Sequence, residues 1–226
     1  MTNTPVPFES IEPDEAIQFL ETRATGLDGD EALRRLEHYG PNRLPEGAKR
    51  SNFTRFVLQF HNLLIYVLIA AALLAAAIGH LTDALVIAAV VLLNAVIGYV
   101  QEGRAESAMD AIRAMIDPQA SVLRDGRRLS IPADQVVPGD IALLEAGDRV
   151  AADLRLIKAS SLKIDEAVLT GESVPVDKHI TPVSPDVPLG DRFSMAFSGS
   201  FVAAGQGSGV AVATGAQTQL GQISTM

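Results

Sequence analysis

Residues 164–176 read IDEAVLTGESVPV, in which apolar, strand-like ends surround the turn-forming segment Thr170-Gly171-Glu172-Ser173. Glycine adopts backbone angles that other residues avoid, and hydroxyl side chains bond to nearby backbone groups, so this composition is typical of a turn. Residues 118–226 surround this stretch with short apolar runs that glycine and proline punctuate, as in a small β-rich domain. The sequence therefore predicts a β-rich domain with a loop that bears one carboxylate, Glu172.

A hairpin signal and four further strand candidates support this interpretation of the C-terminal half. Asp125-Gly126 separates the runs 121–124 and 127–131, and an Asp-Gly pair in that position favours a tight hairpin turn. The further strand candidates are residues 141–145, 154–158, 197–202 and 209–213. Three aspartates follow or lie near glycines in predicted turns, where Asp commonly bonds to its own backbone: Asp140, Asp148 and Asp153.

Asp165 and Glu166 form an adjacent carboxylate pair just before the loop. In a strand, adjacent side chains point to opposite faces of the sheet, so these two carboxylates are not expected to share one catalytic site. We therefore predict that both residues have structural roles.

Two hydrophobic segments precede the β-rich half. Residues 62–79 and 84–101 contain no charged side chain, and each is 18 residues long. As helices they would be roughly 27 Å long, close to the hydrocarbon thickness of a bilayer, which is about 30 Å. Two buried helices of a soluble bundle are the alternative, but such helices normally keep a polar stripe, whereas these segments are apolar all round. The sequence predicts a tight transmembrane helical hairpin.

The distribution of basic residues predicts the orientation of this hairpin. The connection at residues 79–83 contains no Lys or Arg, whereas basic residues lie on both flanks: Lys49, Arg50, Arg55, Arg104 and Arg113. By the positive-inside rule, both ends face the cytoplasm and the connection faces outward. Beyond Gln101, charged residues interrupt an apolar stripe, so the second helix is expected to continue into water as a stalk.

The N-terminal segment is charged and predicts short amphipathic helices. Asp28 and Glu31 have the spacing of a helix N-terminal cap, and apolar residues then recur at helical spacing as far as Tyr39. Gly40-Pro41 is a helix stop signal, and a second helix is predicted near residues 14–22. These helices are predicted to form a small cap on a larger body.

Composition excludes several classes of function. The net charge is −9 and the pI is about 4.9, which argues against a nucleic-acid-binding protein with a basic face. There is no cysteine, so neither a disulfide framework nor a Cys-x-x-Cys site is possible. The four histidines are scattered without metal-ligand spacing. Residues 1–15 are polar and acidic, unlike a signal peptide.

The succession of motifs resembles the actuator domain of P-type ATPases, whose signature loop is Thr-Gly-Glu-Ser. Residues 137–141 (VPGDI), 146–150 (AGDRV) and 153–155 (DLR) precede the loop in the same order as in that family. Ala151 departs from the pattern, because the family usually has proline there. Four common residues alone would be a weak signal, but their surroundings and the preceding hairpin make the resemblance specific.

Other parts of the chain resemble the cation pumps of this superfamily, which include calcium, sodium–potassium and proton pumps. Residues 26–44 are similar to their cytoplasmic N-terminal region, and residues 100–105 (VQEGRA) to the exit of their second transmembrane helix. The absence of Cys-x-x-Cys fits this group better than the heavy-metal pumps. The resemblance implies three regions: N-terminal helices at 1–50, hairpin and stalk at 51–117, and a distorted jelly-roll-like actuator domain at 118–226.

The resemblance also implies a catalytic role for the loop. Hydrolysis of an acyl phosphate requires in-line attack by water, and a carboxylate can orient that water or take its proton. The candidate catalytic residue is Glu172. We expect Gly171 to let the backbone approach closely, and Thr170 and Ser173 to shape the loop through hydroxyl-to-backbone hydrogen bonds. On its own, Glu172 could equally be a solvated turn residue.

The complete pump implied by this resemblance uses ATP and Mg²⁺, and we expect neither to be bound by these 226 residues. The family's phosphorylated Asp-Lys-Thr-Gly-Thr motif and its nucleotide domain do not occur in the sequence, so this chain alone is expected to be inactive. The implied partners are the lipid bilayer, the remaining pump domains and a transported cation, with no nucleic acid. The implied location is the plasma membrane, with both termini cytoplasmic.

Two other classes of function fit parts of the sequence. One is a non-catalytic, membrane-anchored truncated module that docks onto other subunits. The other is a soluble β-domain whose hydrophobic helical hairpin serves self-association. Coding sequence beyond residue 226 would separate the first from a pump, and detergent dependence would separate the second.

Overall fold

A computed structural model describes residues 7–44, 51–115 and 118–225, with the side chains of 110–115 left out. The chain forms two compact units. The first unit joins residues 1–45 to residues 118–226, and the second consists of residues 46–117. The boundaries of the three predicted regions (1–50, 51–117 and 118–226) stay a prediction.

The N-terminal helices of the first unit form where capping residues predict them. Helix α1 spans Pro13–Phe19, and helix α2 spans Gly29–Tyr39. The Asp28 side chain caps α2, because its Oδ1 accepts a hydrogen bond from the backbone N–H of Glu31 at 2.7 Å. Gly40 ends the helix with a φ of 77°. Both predicted helices are therefore confirmed.

The rest of the first unit is built on one antiparallel sheet. Its strands are β1 (Gln119–Arg124), β2 (Arg127–Pro132), β3 (Ile141–Glu145), β4 (Asp153–Asp165), β5 (Val176–Asp177), β6 (Met195–Ala196) and β7 (Phe201–Ala213). The strand order is β2-β1-β3-β7-β4-β5, with β6 also paired to β4. Two short helices, α6 (Ala167–Thr170) and α7 (Gln219–Ser224), follow β4 and β7. The core contains fully buried aliphatic residues such as Val122, Leu156 and Val202.

Most strand predictions agree with this sheet. The Asp125-Gly126 hairpin joins β1 and β2, with both turn residues at positive φ, and β3 coincides with the predicted 141–145. The predicted strand 197–202 is wrong, because Gly199 adopts a φ of 86° in a turn and β7 begins only at Phe201. The β-rich domain is confirmed, and its jelly-roll-like arrangement stays a prediction.

The N-terminal segment is part of the same compact unit as the sheet. Leu27 forms a parallel bridge to Arg124 of β1. The Asn42 side chain donates hydrogen bonds to the carbonyl oxygens of Ala133 and Ala151, each at 2.9 Å, and accepts one from the N–H of Gly215 at 2.7 Å. Ala151, where the family usually has proline, thus contributes a backbone acceptor to this contact.

The regular elements described in the second unit are all helices. It consists of α3 (Asn52–Leu58), α4 (Leu63–Ala77) and α5 (Leu81–Met115), and α5 continues past Gln101 as predicted. Only the segment Leu81–Met109 forms, within a single described helix, a stretch long and apolar enough to cross a membrane. Helices α3 and α4 are bent by 71° and would make a second span only if taken together. The predicted hairpin of two spans is therefore not confirmed.

The first predicted span is shorter than expected for a physical reason. The Asn62 side chain accepts a hydrogen bond from the N–H of Leu64 at 2.9 Å and so begins α4 there. Gly79, with a φ of 95°, follows its C-terminus. Helix α4 consequently has 15 residues, fewer than the roughly 20 that a bilayer requires.

Candidate active site

The Thr170-Gly171-Glu172-Ser173 loop follows the long strand β4 after the single helical turn α6. Asp165 is the last residue of β4, and its Oδ1 accepts a hydrogen bond from the N–H of Ala167 at 2.9 Å. This contact starts the single helical turn α6, which Gly171 ends with a φ of 77°. Asp165 thus has the structural role predicted for it, because its carboxylate caps the turn.

Thr170 holds the loop through its hydroxyl group. Its Oγ1 donates a hydrogen bond to the carbonyl oxygen of Glu166 at 3.2 Å and accepts one from the N–H of Glu172, also at 3.2 Å. The predicted hydroxyl-to-backbone contact is therefore present at Thr170. It fixes the backbone on both sides of Gly171.

Gly171 serves the loop by its backbone angles and not by close packing. A φ of 77° lies in the left-handed region, which side chains with a Cβ rarely adopt. No described atom lies within 4 Å of the position that a Cβ would take. The close approach expected from the sequence is thus not made to any described part of this chain.

Glu172 and Ser173 are both exposed at the far side of this turn. The Ser173 hydroxyl makes no hydrogen bond to any residue that the structure describes, so the shaping role predicted for it is not observed. Val168 and Val174, on either side of Glu172, are 61% and 74% exposed. The loop therefore presents one carboxylate between two apolar side chains to the solvent.

A buried ion pair joins the two ends of the segment 166–178, which contains α6 and the Thr170–Ser173 loop. The Nζ atom of Lys178 is 2.7 Å from Oε1 of Glu166, and the side chains are 0% and 1% exposed. Burial raises the pKa of Glu166 and lowers the pKa of Lys178, while their mutual attraction opposes both shifts. Glu166 is therefore structural as predicted, but as half of an ion pair and not as a strand residue facing away from Asp165.

Asp153 is not the turn residue that the sequence predicted. It begins β4, where its Oδ1 accepts the N–H of Ser198 at 2.8 Å and its Oδ2 accepts the N–H of Gln219 at 2.7 Å. Burial raises its pKa to about 6, against the opposing effect of these two hydrogen bonds. Asp153 thus connects β4 with the turn before β7 and with the start of α7.

The other two predicted turn aspartates do bond to nearby backbone. Asp148 accepts a hydrogen bond from the N–H of Glu145 at 2.9 Å. Asp140 accepts one from the N–H of Val137 at 2.9 Å, and it also forms a two-point ion pair with Arg124 at 2.8 and 2.7 Å. The Asp140 side chain is fully buried. Sequence spacing did not indicate this ion pair.

Within residues 7–44, 51–115 and 118–225, no cluster of three or more His, Cys, Asp or Glu side chains could hold a metal ion.

The chain belongs to the P-type ATPases. Residues 114–226 match the family model of the P-type ATPase actuator domain, and residues 8–75 match that of the cation transporter/ATPase N-terminus. The chain therefore contains the N-terminal and actuator domains of P-type cation ATPases, as the motif order predicted.

Curated relatives of the chain are named as calcium- or cation-transporting ATPases. The chain is 48% identical to calcium-transporting ATPase 1 of Bacillus cereus, over 94% of the chain and 25% of that protein. It is 45% identical to the probable cation-transporting ATPase F of Mycobacterium tuberculosis, over 88% of the chain and 22% of that protein. The chain spans about a quarter of the length of these relatives. These similarities favour a pump domain over a non-catalytic docking module.

The four predicted site residues, 170–173, are consecutive in the sequence, so their proximity needs no structure to show it. What the structure adds is the set of residues around them. The residue missed by sequence reasoning is Lys178, which lies beyond the loop and pairs with Glu166. Lys178 lies two positions after Val176, and nothing in the sequence around it predicts that its side chain is buried. Only the pairing of β4 with β5 brings it back to the start of the loop.

Proposed function

We propose that this chain is the N-terminal part of an ATP-driven cation pump. In this proposal its actuator domain promotes hydrolysis of an aspartyl phosphate formed elsewhere in the pump, and couples that hydrolysis to ion movement. The observation that supports it best is an exposed carboxylate, Glu172, on a loop whose backbone is fixed by Thr170 and Gly171.

The chemistry of the loop follows from charge and exposure. The Glu172 carboxylate faces solvent, so it can contact a water molecule that attacks phosphorus. Like-charge repulsion opposes its approach to a phosphate, so the domain has to bring it there only when hydrolysis is required. Gly171 has no side chain that would block this approach, and the exposed Val168 and Val174 can lie against the surface that holds the phosphate.

The membrane part of the proposal has two spans. Residues 81–109 form one, and residues 52–77, despite their bend, form the other. Both ends of this hairpin face the cytoplasm in our proposal, since the connection has no Lys or Arg and the nearby basic residues lie in or beyond the other end of each span. The bilayer, the later domains of the pump and a transported cation are the proposed partners, and the plasma membrane is the proposed location.

ATP and Mg²⁺ are used by the complete pump in this proposal. They would bind to parts of the pump outside these residues, and the chain alone would be inactive. ATP would supply the phosphoryl group that becomes the aspartyl phosphate. Glu172 acts only afterwards, when that phosphate is hydrolysed.

The test is Glu172→Gln in the complete pump, because glutamine keeps the shape of the side chain but removes its negative charge. The aspartate should still be phosphorylated by ATP, while decay of the phosphoenzyme slows by roughly 10²–10⁴-fold, the usual contribution of a general base. The measurement is a chase of labelled phosphoenzyme with unlabelled ATP.

Asp165→Asn serves as the control, since Asp165 touches no reacting group in this proposal and the amide oxygen of asparagine can still accept the Ala167 N–H that begins α6. It should leave the decay rate nearly unchanged. Equal decay in the wild type and Glu172→Gln would remove Glu172 from the mechanism.

A further inference from the structure

The backbone of α6 is bonded chiefly to one residue. The carbonyl oxygen of Glu166 accepts hydrogen bonds from Leu169 N at 2.9 Å, from Thr170 N at 3.0 Å and from Thr170 Oγ1 at 3.2 Å. Thr170 in turn holds the N–H of Glu172. The direction of this one carbonyl group therefore sets where the Glu172 backbone lies.

The orientation of Glu166 depends on its buried side chain. Its φ and ψ are −110° and 20°, outside the regular helical and strand regions, so the local chain alone does not fix its peptide plane. Among the described residues, neither the Glu166 carboxylate nor the Lys178 ammonium group forms a hydrogen bond with a third residue. The contact with Lys178 thus fixes the Glu166 side chain. The same peptide group is also held by Asp165, which accepts the N–H of Ala167 at 2.9 Å, so the ion pair and this cap together orient the Glu166 carbonyl.

Lys178 is itself held firmly from the other end of the loop. Its N–H donates to the carbonyl oxygen of Leu162 at 2.9 Å, beside the β4–β5 pairing of Ile164 with Val176. Its ammonium group lies 5.7 Å from the centre of the Phe197 ring. These contacts hold Lys178 in place, and Lys178 in turn holds Glu166, the residue that precedes α6.

We propose that the Glu166–Lys178 ion pair is a positioning pair, which holds the loop so that Glu172 reaches the aspartyl phosphate in a productive orientation. This inference rests on the proposed function of Glu172. Glu166 and Lys178 are buried and touch no reacting group, so they act only through the loop backbone.

An exposed ion pair on the same two strands provides a matched control. Lys163 Nζ lies 2.8 Å from Asp177 Oδ1, with side chains 46% and 75% exposed. This pair crosses the same β4–β5 ladder but forms no hydrogen bond or ion pair with α6 within the described part of the chain. Breaking it perturbs the strands without releasing Glu166.

The test compares variants of the complete pump by phosphoenzyme decay after a chase with unlabelled ATP. In Glu166→Gln we expect decay to slow by about 10–100-fold, the effect of a small misplacement of a catalytic group. Phosphorylation by ATP should be unchanged, and Lys163→Gln should decay like the wild type. The exchanged pair Glu166→Lys with Lys178→Glu keeps the ionic contact and should recover most of the rate.

A loss of stability alone cannot produce this pattern. The single-turnover decay rate describes only the folded molecules that ATP has phosphorylated, so poor folding of a variant lowers the amount and not the rate. In the 226-residue chain in detergent, Glu166→Gln should also speed hydrogen exchange at the Thr170 and Gly171 amides several-fold. Lys163→Gln should not.

The outcomes separate this inference from the proposed function. If Glu172→Gln slows decay but Glu166→Gln does not, the positioning role is overturned and the role of Glu172 stands. If Glu172→Gln decays like the wild type, both are overturned. Slowing by Glu166→Gln without any recovery in the exchanged pair would also overturn the positioning role, because the ionic contact would then be irrelevant.

Discussion

The guanidinium group of Arg155 in β4 donates two hydrogen bonds to the backbone carbonyl oxygen of Ile11, from Nε at 3.1 Å and from Nη2 at 2.7 Å. The Arg155 side chain is fully buried, and burial lowers its pKa. Its other acceptors are also backbone carbonyls, those of Leu156, Ser194 and Ile180. The carbonyl oxygen of Ile11, which lies 144 residues before Arg155 in the sequence, therefore helps to stabilise the buried guanidinium charge.

Deletion of residues 1–12 should destabilise the sheet because it removes the Ile11 carbonyl. Hydrogen bonds to charged groups contribute about 1.5–3 kcal/mol each to stability. We expect hydrogen exchange of the β4 amides, in the detergent-solubilised chain, to show a comparable drop in opening free energy. Arg155→Met in the deleted protein should recover part of it, since the unsatisfied charge is gone. Equal losses with and without Arg155→Met would show that the Ile11 contact is not responsible.

The raised pKa of Asp153 predicts a pH-dependent stability. Folded Asp153 binds its proton more tightly than the unfolded chain does, since its pKa is about 6 instead of 3.8. Its contribution to stability is therefore fully present below pH 3.8 and is lost as the pH rises to about 6. The pKa difference corresponds to about 3 kcal/mol.

Asp153→Asn should flatten this part of the stability profile. Asparagine cannot accept both backbone N–H groups, but that cost is independent of pH and cancels when the difference between the proteins is followed from pH 4 to 6. Besides burial, the negative charge of Asp153 raises the pKa of Glu166, and the variant removes that charge. This second effect also flattens the stability profile. Opening free energies of β4 and β7 from hydrogen exchange, corrected for intrinsic rates, provide the measurement. Parallel profiles for the two proteins would contradict the prediction.

Two arginines near the β1–β2 hairpin should differ sharply in importance. Arg124 pairs with the fully buried Asp140, whereas Arg128 pairs with Glu145 at 2.6 Å between side chains that are 52% and 51% exposed. Arg124→Met leaves a buried carboxylate without its partner and should cost about 3–5 kcal/mol of unfolding free energy. Arg128→Met should change stability little, because solvent screens exposed pairs. Hydrogen exchange of the β1 and β3 amides compares the two, and similar effects would count against the difference in burial as the cause.

The sequence predicts the short, locally determined elements best. The Asp-Gly hairpin and the caps of α2 depend on residues adjacent in the chain, and both were predicted correctly. Strand β7 was predicted only in part, mainly as residues 209–213, and it contains three glycines at alternate positions: Gly205, Gly207 and Gly209. These glycines lie inside the strand, where a Cβ would come within 2.1, 2.7 and 2.9 Å of β4 backbone oxygens. Their function is a close approach between strands that no local pattern reveals.

Prediction of the candidate site is limited in the same way, because local patterns do not show which strands pair. The sequence alone supplies Glu172 as the candidate catalytic residue and correctly predicts the hydrogen bonding of the Thr170 hydroxyl, because a loop motif is a local feature. The Glu166–Lys178 pair requires knowledge of which strands pair, and burial of two opposite charges cannot be predicted from their spacing. The bend between α3 and α4 was not predicted, since Asn62 was taken only as the first residue of the span 62–79, whereas its side chain caps α4.

The proposed membrane orientation can be tested with single cysteines, because the chain contains none of its own. Thr82 is exposed in the first turn of α5, in the connection that has no Lys or Arg, and Asp125 is exposed in the β1–β2 turn. In the proposed topology, a cysteine at position 82 lies outside the cell and one at position 125 lies inside.

An impermeant thiol reagent added to intact cells should therefore label Thr82→Cys and leave Asp125→Cys unlabelled. Permeabilised cells provide the control, since both positions are exposed and both cysteines should then react. Labelling of Asp125→Cys alone in intact cells would invert the orientation. Equal protection of both would mean that residues 52–77 do not cross the bilayer or that the connection does not reach the outer surface. Either result would leave the actuator domain identified but would require a different path for the chain through the membrane.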